Sequence, residues 1–390
     1  MNETLRAAPI EVPEAALVDL RERLERTRWP ERETVDDWSQ GIPLDYVQEV
    51  CATWRDDYDW RVCERQLNQY EQLRFADRGP AGAELGIQVL HAPSPQADAL
   101  PLVLTHGWPG SVVEFLDVVE RLRDPAADGG DAADAFHVVC PSLPGYGFSE
   151  RPQGTGWTVE AIADSWARLM RALGYEHFGA QGGDWGSAVT TELGARHAER
   201  CVGLHLNMVS IGPGRDPGEL TAPEQAAMDS LAHYQRWDSG YSTQQSTRPQ
   251  TVGYGLVDSP AGQAAWILEK FWSWSDHNGH PEDVFTRQRL LDNVMHYWLP
   301  GTGASSARLY WESFRTRRPE TVTAPAGMSI FPKEIFRASR RWAGRRFTDI
   351  RYWNELDRGG HFAAFERPDV FADEVRAFFR TVRTARTPAG

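Results

Sequence analysis

An α/β fold is predicted, with a mostly parallel central sheet flanked by helices and interrupted by a helical insertion. Three observations predict it. Short apolar runs bounded by turn residues, Pro101–Thr105 and His137–Cys140, alternate with helix-period stretches at 112–123 and 159–173. This is the pattern of βαβ units whose strands are buried on both faces. Residues 211–320 then lack strand runs and carry their apolar residues at helical spacing, as in Ala264–Trp272. Strand runs resume at Gly327–Ile330 and Ile350–Trp353, so the insertion divides one core and does not end it.

The elements follow in chain order. Residues 13–27 read as a helix with Pro13 in its first turn, Leu17, Leu20 and Leu24 on one face, and Pro30 soon past its end. A second helix is expected from Leu44 to about Trp54, so residues 1–83 are assigned to a helical N-terminal segment. The first part of the core, 84–210, opens with the strand Leu85–His91. It runs through the elements above to a short strand at 176–181, a helix at 187–195 and a strand at 202–207. Residues 124–135, rich in Asp, Ala and Gly, are expected to form a mobile acidic loop without chemistry. Residues 211–320 form a lid, and 321–390 form the second part of the core, ending in an amphipathic helix at 368–382.

Composition excludes some functions. The 390 residues suffice for one large domain with a lid or for two domains, and 41% hydrophobic with 25% charged residues is ordinary for a globular protein. A net charge of −14 argues against nucleic-acid binding. The sixteen tryptophans are read mainly as core. Cys51, Cys63, Cys140 and Cys201 have no metal-ligand spacing, and so few cysteines fit a reduced, cytoplasmic protein. The first ten residues carry no apolar signal-peptide core, and no run of 18 uncharged apolar residues occurs, so neither export nor a membrane anchor is expected.

The most informative segment is Gly182-Gly183-Asp184-Trp185-Gly186. Its small–x–nucleophile–x–small form is that of a nucleophile elbow, the sharp strand-to-helix turn that lifts one side chain above an α/β-hydrolase sheet. Ser or Cys usually holds the centre, and here it is Asp184. A carboxylate is ionised at neutral pH without help from a base. It suits displacement of a leaving group from saturated carbon, which leaves an ester on the protein. The elbow therefore points to epoxides or alkyl halides and away from acyl esters. An α/β-hydrolase fold with a helical lid is the expected architecture.

The remaining parts are sought by position. His106-Gly107-Trp108-Pro109-Gly110-Ser111 follows an apolar strand. In this fold that loop supplies one backbone N–H of an oxyanion hole, and the residue after the nucleophile supplies the other. The backbone amides of Trp108 and Trp185 are assigned there, and His106 is read as structural. Chain order in the fold is nucleophile, acid, histidine. His361, in Gly359-Gly360-His361-Phe362, is the candidate base. Glu334, after the strand at 327–330, is the candidate acid, with Glu355, Asp357 and Asp349 as rivals.

Taken together, these segments resemble the epoxide hydrolases of the microsomal type along nearly the whole chain. The resemblance rests on His106–Ser111, Gly182–Ser187, Phe331–Glu334 and Gly359–Glu366. Trp54–Trp60 resembles the N-terminal segment that wraps the core in that family, and Asp258–Pro260 and Ile267–Phe271 resemble its lid. The family's membrane-anchoring N-terminal helix has no counterpart, so the chain is similar to the soluble microbial members. The resemblance implies two lid tyrosines that hold the opening epoxide oxygen. By local sequence these are Tyr241 and Tyr310, with Tyr254 and Tyr234 as rivals. A phenol suits this task because it donates to an alkoxide without losing its proton at neutral pH.

The implied reaction converts an epoxide to a vicinal diol. Asp184 attacks an oxirane carbon, and His361, oriented by Glu334, activates the water that hydrolyses the ester. No metal or organic cofactor takes part. An epoxide and water are the expected partners, and a homodimer is left open. A haloalkane dehalogenase is the nearest alternative, because Trp185 stands where such enzymes bind halide. A non-catalytic binding protein is the other. Trp237, Trp266, Trp272, Trp274, Trp298 and Trp311 in the lid point to a bulky or aromatic epoxide. The Arg- and Ala-rich composition resembles that of actinobacterial proteins, which implies natural-product assembly of the enediyne kind, with detoxification as the other role.

Overall fold

The computed structural model describes residues 4–80, 82, 84–215, 218–316 and 321–383. The assigned boundaries at 83 and 320 lie outside the described residues. The strands are β1 (Leu5–Ala7), β2 (Glu71–Arg78), β3 (Glu84–Ala92), β4 (Leu100–Thr105), β5 (Phe136–Pro141), β6 (Phe178–Gly182), β7 (Cys201–Leu206), β8 (Ala326–Ile330) and β9 (Ile350–Glu355). They form one nine-stranded sheet in the order β1-β2-β3-β5-β4-β6-β7-β8-β9. From β5 to β9 every pairing is parallel, while β1, β2 and β3 join antiparallel.

The helices are α1 (Glu14–Glu25), α2 (Leu44–Asp56), α3 (Trp60–Leu67), α4 (Leu116–Arg123), α5 (Val159–Ala172) and α6 (Asp184–Arg196). In the lid come α7 (Ala222–His233), α8 (Gly240–Thr247), α9 (Pro249–Asp258), α10 (Pro260–Ser273), α11 (Arg287–Trp298) and α12 (Gly303–Thr316). The second part of the core adds α13 (Arg340–Ala343), α14 (Ala363–Glu366) and α15 (Pro368–Arg383).

Helices cover both faces of the parallel strands, which is why those strands read as unbroken apolar runs. On one face, Phe378 and Phe379 of α15 lie against Gly179, Gly203 and Gly327. A Cβ at these positions would come within 2.4, 2.8 and 2.3 Å of the rings. On the other face, Leu204 of β7 meets Gly194 of α6. Small residues in the strands thus make the bed in which the closing helix lies.

The N-terminal segment departs from the helical expectation. It contributes α1, α2 and α3, with Leu17, Leu20 and Leu24 buried, but also strands β1 and β2. Strand β2 escaped notice because two of its buried positions are polar, which hides the period-2 signal. Gln72 donates to the Leu67 carbonyl at 2.6 Å, and Asp77 pairs with Arg168 at 2.7 Å. The segment also grips the lid. Trp38 stacks on Trp272 with ring centroids 4.8 Å apart, and Tyr58 donates to Asp292 at 2.9 Å. The acidic loop is likewise tied down at its end, where Arg380 Nε donates to buried Asp134 Oδ1 at 2.9 Å.

Strand β4 lies between β5 and β6, so the chain leaves it on one side and returns on the other. The loops following β4 and β6 part at this switch point, the usual ligand crevice of an open parallel sheet. His106–Ser111 and the elbow both lie there.

Candidate active site

The elbow joins β6 to α6 directly, and Asp184 is the first residue of the helix. Its φ is +47°, and it is the one non-glycine residue with positive φ among the described residues. Such a conformation costs of order 1–3 kcal/mol and persists only where its surroundings impose it. The glycines permit the turn by leaving space. A Cβ on Gly182 would lie 2.1 Å from the Gly186 carbonyl oxygen, and one on Gly186 would lie 1.8 Å from the Thr105 carbonyl oxygen. Both obstacles are backbone. Gly186→Ala is therefore expected to destabilise the protein by about 3 kcal/mol or more, at the high end for a single added methyl. A thermal melt followed by circular dichroism checks this, and a midpoint within 1–2 °C of wild type would contradict it.

Asp184 Oδ1 accepts the Trp108 amide at 2.8 Å. Gly107 allows the approach, since a Cβ there would sit 2.2 Å from that oxygen. Of the two amides assigned to the oxyanion hole, Trp108 forms its bond. The Trp185 amide stands in the first turn of α6 and makes no hydrogen bond to Asp184 among the described residues. The helix N-terminus itself favours the carboxylate.

His361 and Glu334 complete the line. Asp184 Oδ2 is 3.4 Å from His361 Nε2, and His361 Nδ1 donates to Glu334 Oε1 at 2.7 Å. The same Glu334 oxygen accepts the Ile335 amide at 2.7 Å. Burial opposes charge on the imidazole, but Glu334 and Asp184 together outweigh it and raise His361 well above its ordinary value. The protonated imidazole is thereby favoured in the resting site.

Two supports of His361 were not singled out from sequence. Glu366 accepts the amides of Gly360 at 3.0 Å, Phe362 at 3.1 Å and Asp276 at 2.8 Å, which fixes the loop on both sides of the histidine. Burial pushes its carboxyl up to about 7. The imidazole also meets the Trp274 ring edge-on at 5.0 Å. The Asp276 and Trp274 contacts have no local sequence signal, because both cross between lid and core.

Tyr241 opens α8 and Tyr310 lies midway along α12, and these two lid helices pack together. The tryptophans beside the nucleophile seat them. Tyr241 stacks on Trp108 at 4.8 Å and 8°, and Tyr310 meets Trp185 edge-on at 4.8 Å. Burial pushes both phenols well above their ordinary range, so both are protonated donors. The buried Tyr310 hydroxyl makes no well-formed hydrogen bond among the described residues. The Tyr241 hydroxyl lies 3.0 Å from that of Tyr234. Behind Tyr241, buried Lys270 sits 4.9 Å over its ring and binds Asp238 at 2.6 Å.

The rivals separate cleanly. Tyr254 is 70% exposed, whereas Tyr234 belongs to the site through Tyr241. Asp349 is engaged by Arg351 at 2.8 Å, Glu355 accepts from its neighbour Trp353 at 3.0 Å, and Asp357 is exposed. His106 is buried and held at about 4 by burial. Its Nδ1 bonds the Gly107 carbonyl at 2.9 Å and its Nε2 accepts the Leu143 amide at 3.2 Å, a structural role.

A cavity of about 230 Å³ opens above Asp184, lined by Trp185, Met208, Tyr234, Tyr241, Tyr310, Phe314, Ile335, Phe336 and Phe347 among others. The six lid tryptophans do not line it, which corrects the expectation of a Trp-walled pocket. Helix geometry gives the reason: Trp311 follows Tyr310 and so points about 100° away from it. Trp272 stacks on the N-terminal segment instead, and Trp237 is 70% exposed. All four cysteines are buried free thiols. Among the described residues no helix is long and apolar enough to cross a membrane.

Known proteins resemble this arrangement along its length. A family model described as "Epoxide hydrolase N terminus" matches residues 5–115, and one described as "alpha/beta hydrolase fold" matches residues 101–252. A protein from Stigmatella aurantiaca named "Putative epoxide hydrolase" is 51% identical, over 96% of this chain and 84% of that one. Epoxide hydrolase 1 of Sus scrofa is 33% identical, over 97% and 89%. Among solved structures, the Aspergillus niger epoxide hydrolase superposes with a TM-score of 0.86 at 29% identity, over 97% and 96% of the two chains. The juvenile hormone epoxide hydrolase of Bombyx mori gives 0.88 at 27%, over 98% and 96%.

Proposed function

The chain belongs to the microsomal-type epoxide hydrolases, and on that premise we propose that Asp184 is the alkylated nucleophile, His361 with Glu334 the water-activating pair, and Tyr241 with Tyr310 the donors to the epoxide oxygen. The observation that carries this reading is convergence. One cavity is lined at once by the Asp184 carboxyl group and by two buried phenols. Opening an epoxide makes an alkoxide, which leaves only if hydrogen-bonded or protonated. A departing halide needs no proton, so paired phenols favour the epoxide over the alkyl halide.

The charges close the cycle. Asp184 forms a bond to an oxirane carbon, and the carbon–oxygen bond of the ring breaks toward Tyr241 and Tyr310. Esterification removes the Asp184 charge, one of the two that raise His361, so the imidazole gives up its proton more readily. The alkoxide takes up one proton and His361 releases one. Neutral His361 then deprotonates water, whose oxygen bonds to the Asp184 carboxyl carbon. The oxyanion develops on the oxygen held by the Trp108 amide, a donor worth about 3–4 kcal/mol in comparable sites. We assign the Trp185 amide as second donor once that carbon becomes tetrahedral. Collapse releases the diol. One water proton ends on it, and the other returns to His361.

The cavity refines the substrate. It is smaller than the roughly 300–1,000 Å³ of drug-sized ligand sites. A compact aryl or short alkyl epoxide therefore suits it better than the bulky substrate read from the lid tryptophans, and an enediyne-sized one suits it least.

The phenols test the reading. Tyr241→Phe and Tyr310→Phe are each expected to slow alkylation by about 100-fold, and the pair together to abolish it, in line with the value of positioned proton donors. Stopped-flow quenching of tryptophan fluorescence on styrene oxide measures the step. Fast halide release from an alkyl chloride, unaffected by the double change, would move the assignment to dehalogenation.

A further inference from the structure

Asp184 lies between two cavities. The larger one holds the tyrosines. A second, of about 20 Å³, lies on the other side, lined by His361, Glu114, Trp108, Asn207 and Phe362 among others, and Asp184 is the one residue common to both. This volume is room for a single water, which needs about 10–15 Å³ and two to four polar partners. We propose that Glu114 is the positioning residue for the hydrolytic water, held in this small cavity between its carboxyl and His361 while the alkyl group fills the larger one.

The local geometry is shaped for it. Gly110 has no side chain where Glu114 turns inward, and a Cβ there would lie 1.4 Å from Glu114 Oε1. Burial pushes the Glu114 carboxyl up to about 8, and the Asp184 charge adds to this while His361 opposes it. At neutral pH the group is mostly a carboxylic acid, able both to donate to the water and to accept from it. In the step it serves, a water O–H bond breaks toward His361 Nε2 as the oxygen bonds to the Asp184 carboxyl carbon. Glu114 keeps its own proton and sets the direction of the oxygen lone pair.

A competing role is structural. Ser111 caps the turn that follows, its Oγ accepting the Val113 amide at 3.2 Å, and the Glu114 carboxyl takes a hydrogen bond from the Ser111 backbone. Both side chains thus serve the N-terminus of this turn. Capping alone would act on stability and leave the two chemical steps in their wild-type ratio.

The inference rests on Asp184 being alkylated, and a two-step experiment separates the two. Alkylation and ester hydrolysis are measured by stopped flow on styrene oxide for wild type, Glu114→Leu, Glu114→Gln and Gly110→Ala. Glu114→Leu is expected to slow hydrolysis by about 10- to 100-fold, the effect of a misplaced reactant. Alkylation should stay within about threefold, so kcat and KM fall together and kcat/KM holds. Glu114→Gln, which keeps a donor and an acceptor, should restore most of the rate. If Glu114→Leu does not fold, Gly110→Ala displaces the carboxyl without removing it and should show the same split. Wild-type hydrolysis in both variants, or an equal fall in both steps, overturns the role of Glu114. Absence of any alkyl-enzyme in the wild type would instead overturn the reading of Asp184.

Discussion

In a single turnover in water labelled with oxygen-18, the label is expected in Asp184 and not in the diol. The reason lies in the order of bonds. The diol receives both oxygens from the unlabelled epoxide and carboxylate, and water restores the carboxyl group it attacked. Digestion and mass spectrometry of the peptide carrying Asp184 reads the result. Label appearing directly in the diol would mean that water opens the epoxide itself, and the nucleophile would then be lost from the account. Asp184→Ala should lower turnover by roughly 10⁴- to 10⁶-fold, as removal of a covalent nucleophile does elsewhere. The backbone at this position is strained, with φ of +47°. A melting curve measured beside the rate separates lost chemistry from lost fold in Asp184→Ala, and Asp184→Asn, which keeps the shape and an acceptor for the Trp108 amide, is the milder companion. A cooperative melt beside the lost activity is part of the expected result.

His361→Gln is expected to form the ester and fail to release it. Glutamine is close in size and can still donate to Glu334, so the loop fixed by Glu366 should hold. Alkylation uses Asp184 and the tyrosines, neither of which is changed. Hydrolysis uses the imidazole as base, and without it the rate should fall by roughly 10⁴-fold. Intact mass should then show one adduct of the epoxide's mass on nearly every molecule, mapped to Asp184. An unmodified protein turning over at the wild-type rate would sink the assignment of the base. The pH dependence has a definite sign. In the resting enzyme two carboxylates raise His361 well above its ordinary value. In the ester one of them is neutral, so the base form appears at lower pH than in the free enzyme. Wild-type hydrolysis of the ester should therefore rise with pH and level off below the pH at which the resting imidazole titrates.

Much of this molecule is legible in its sequence. The parallel strands, the elbow and the closing helix all have strong local patterns, because burial on both faces leaves few choices of residue. Chain order names Asp184, Trp108, His361 and Glu334, and the four stand in one line of hydrogen bonds and a 3.4 Å Asp184–His361 contact. The misses share a cause. Strand β2 is buried through the polar side chains of Gln72 and Asp77, and the Arg168 partner of Asp77 is far away in sequence. Glu366 ties the His361 loop to the lid through the Asp276 amide, and Lys270 joins Asp238 to the Tyr241 ring between separate lid helices. The lid tryptophans were counted as pocket walls, but composition cannot say which way a helical side chain points.

The sequence by itself determined the reaction class, since an aspartate at the elbow with a histidine and glutamate in the right order leaves few chemistries open. It also determined the architecture, through the periods of its apolar residues. Only the tertiary structure decided the size of the substrate cavity, the seating of Tyr241 and Tyr310 on the rings of Trp108 and Trp185, and the small second cavity at Glu114. The physical reason is the range of the interactions. Strand, helix and turn are set by neighbours along the chain, whereas a cavity is the space left between elements brought together by packing, and no local pattern records its shape.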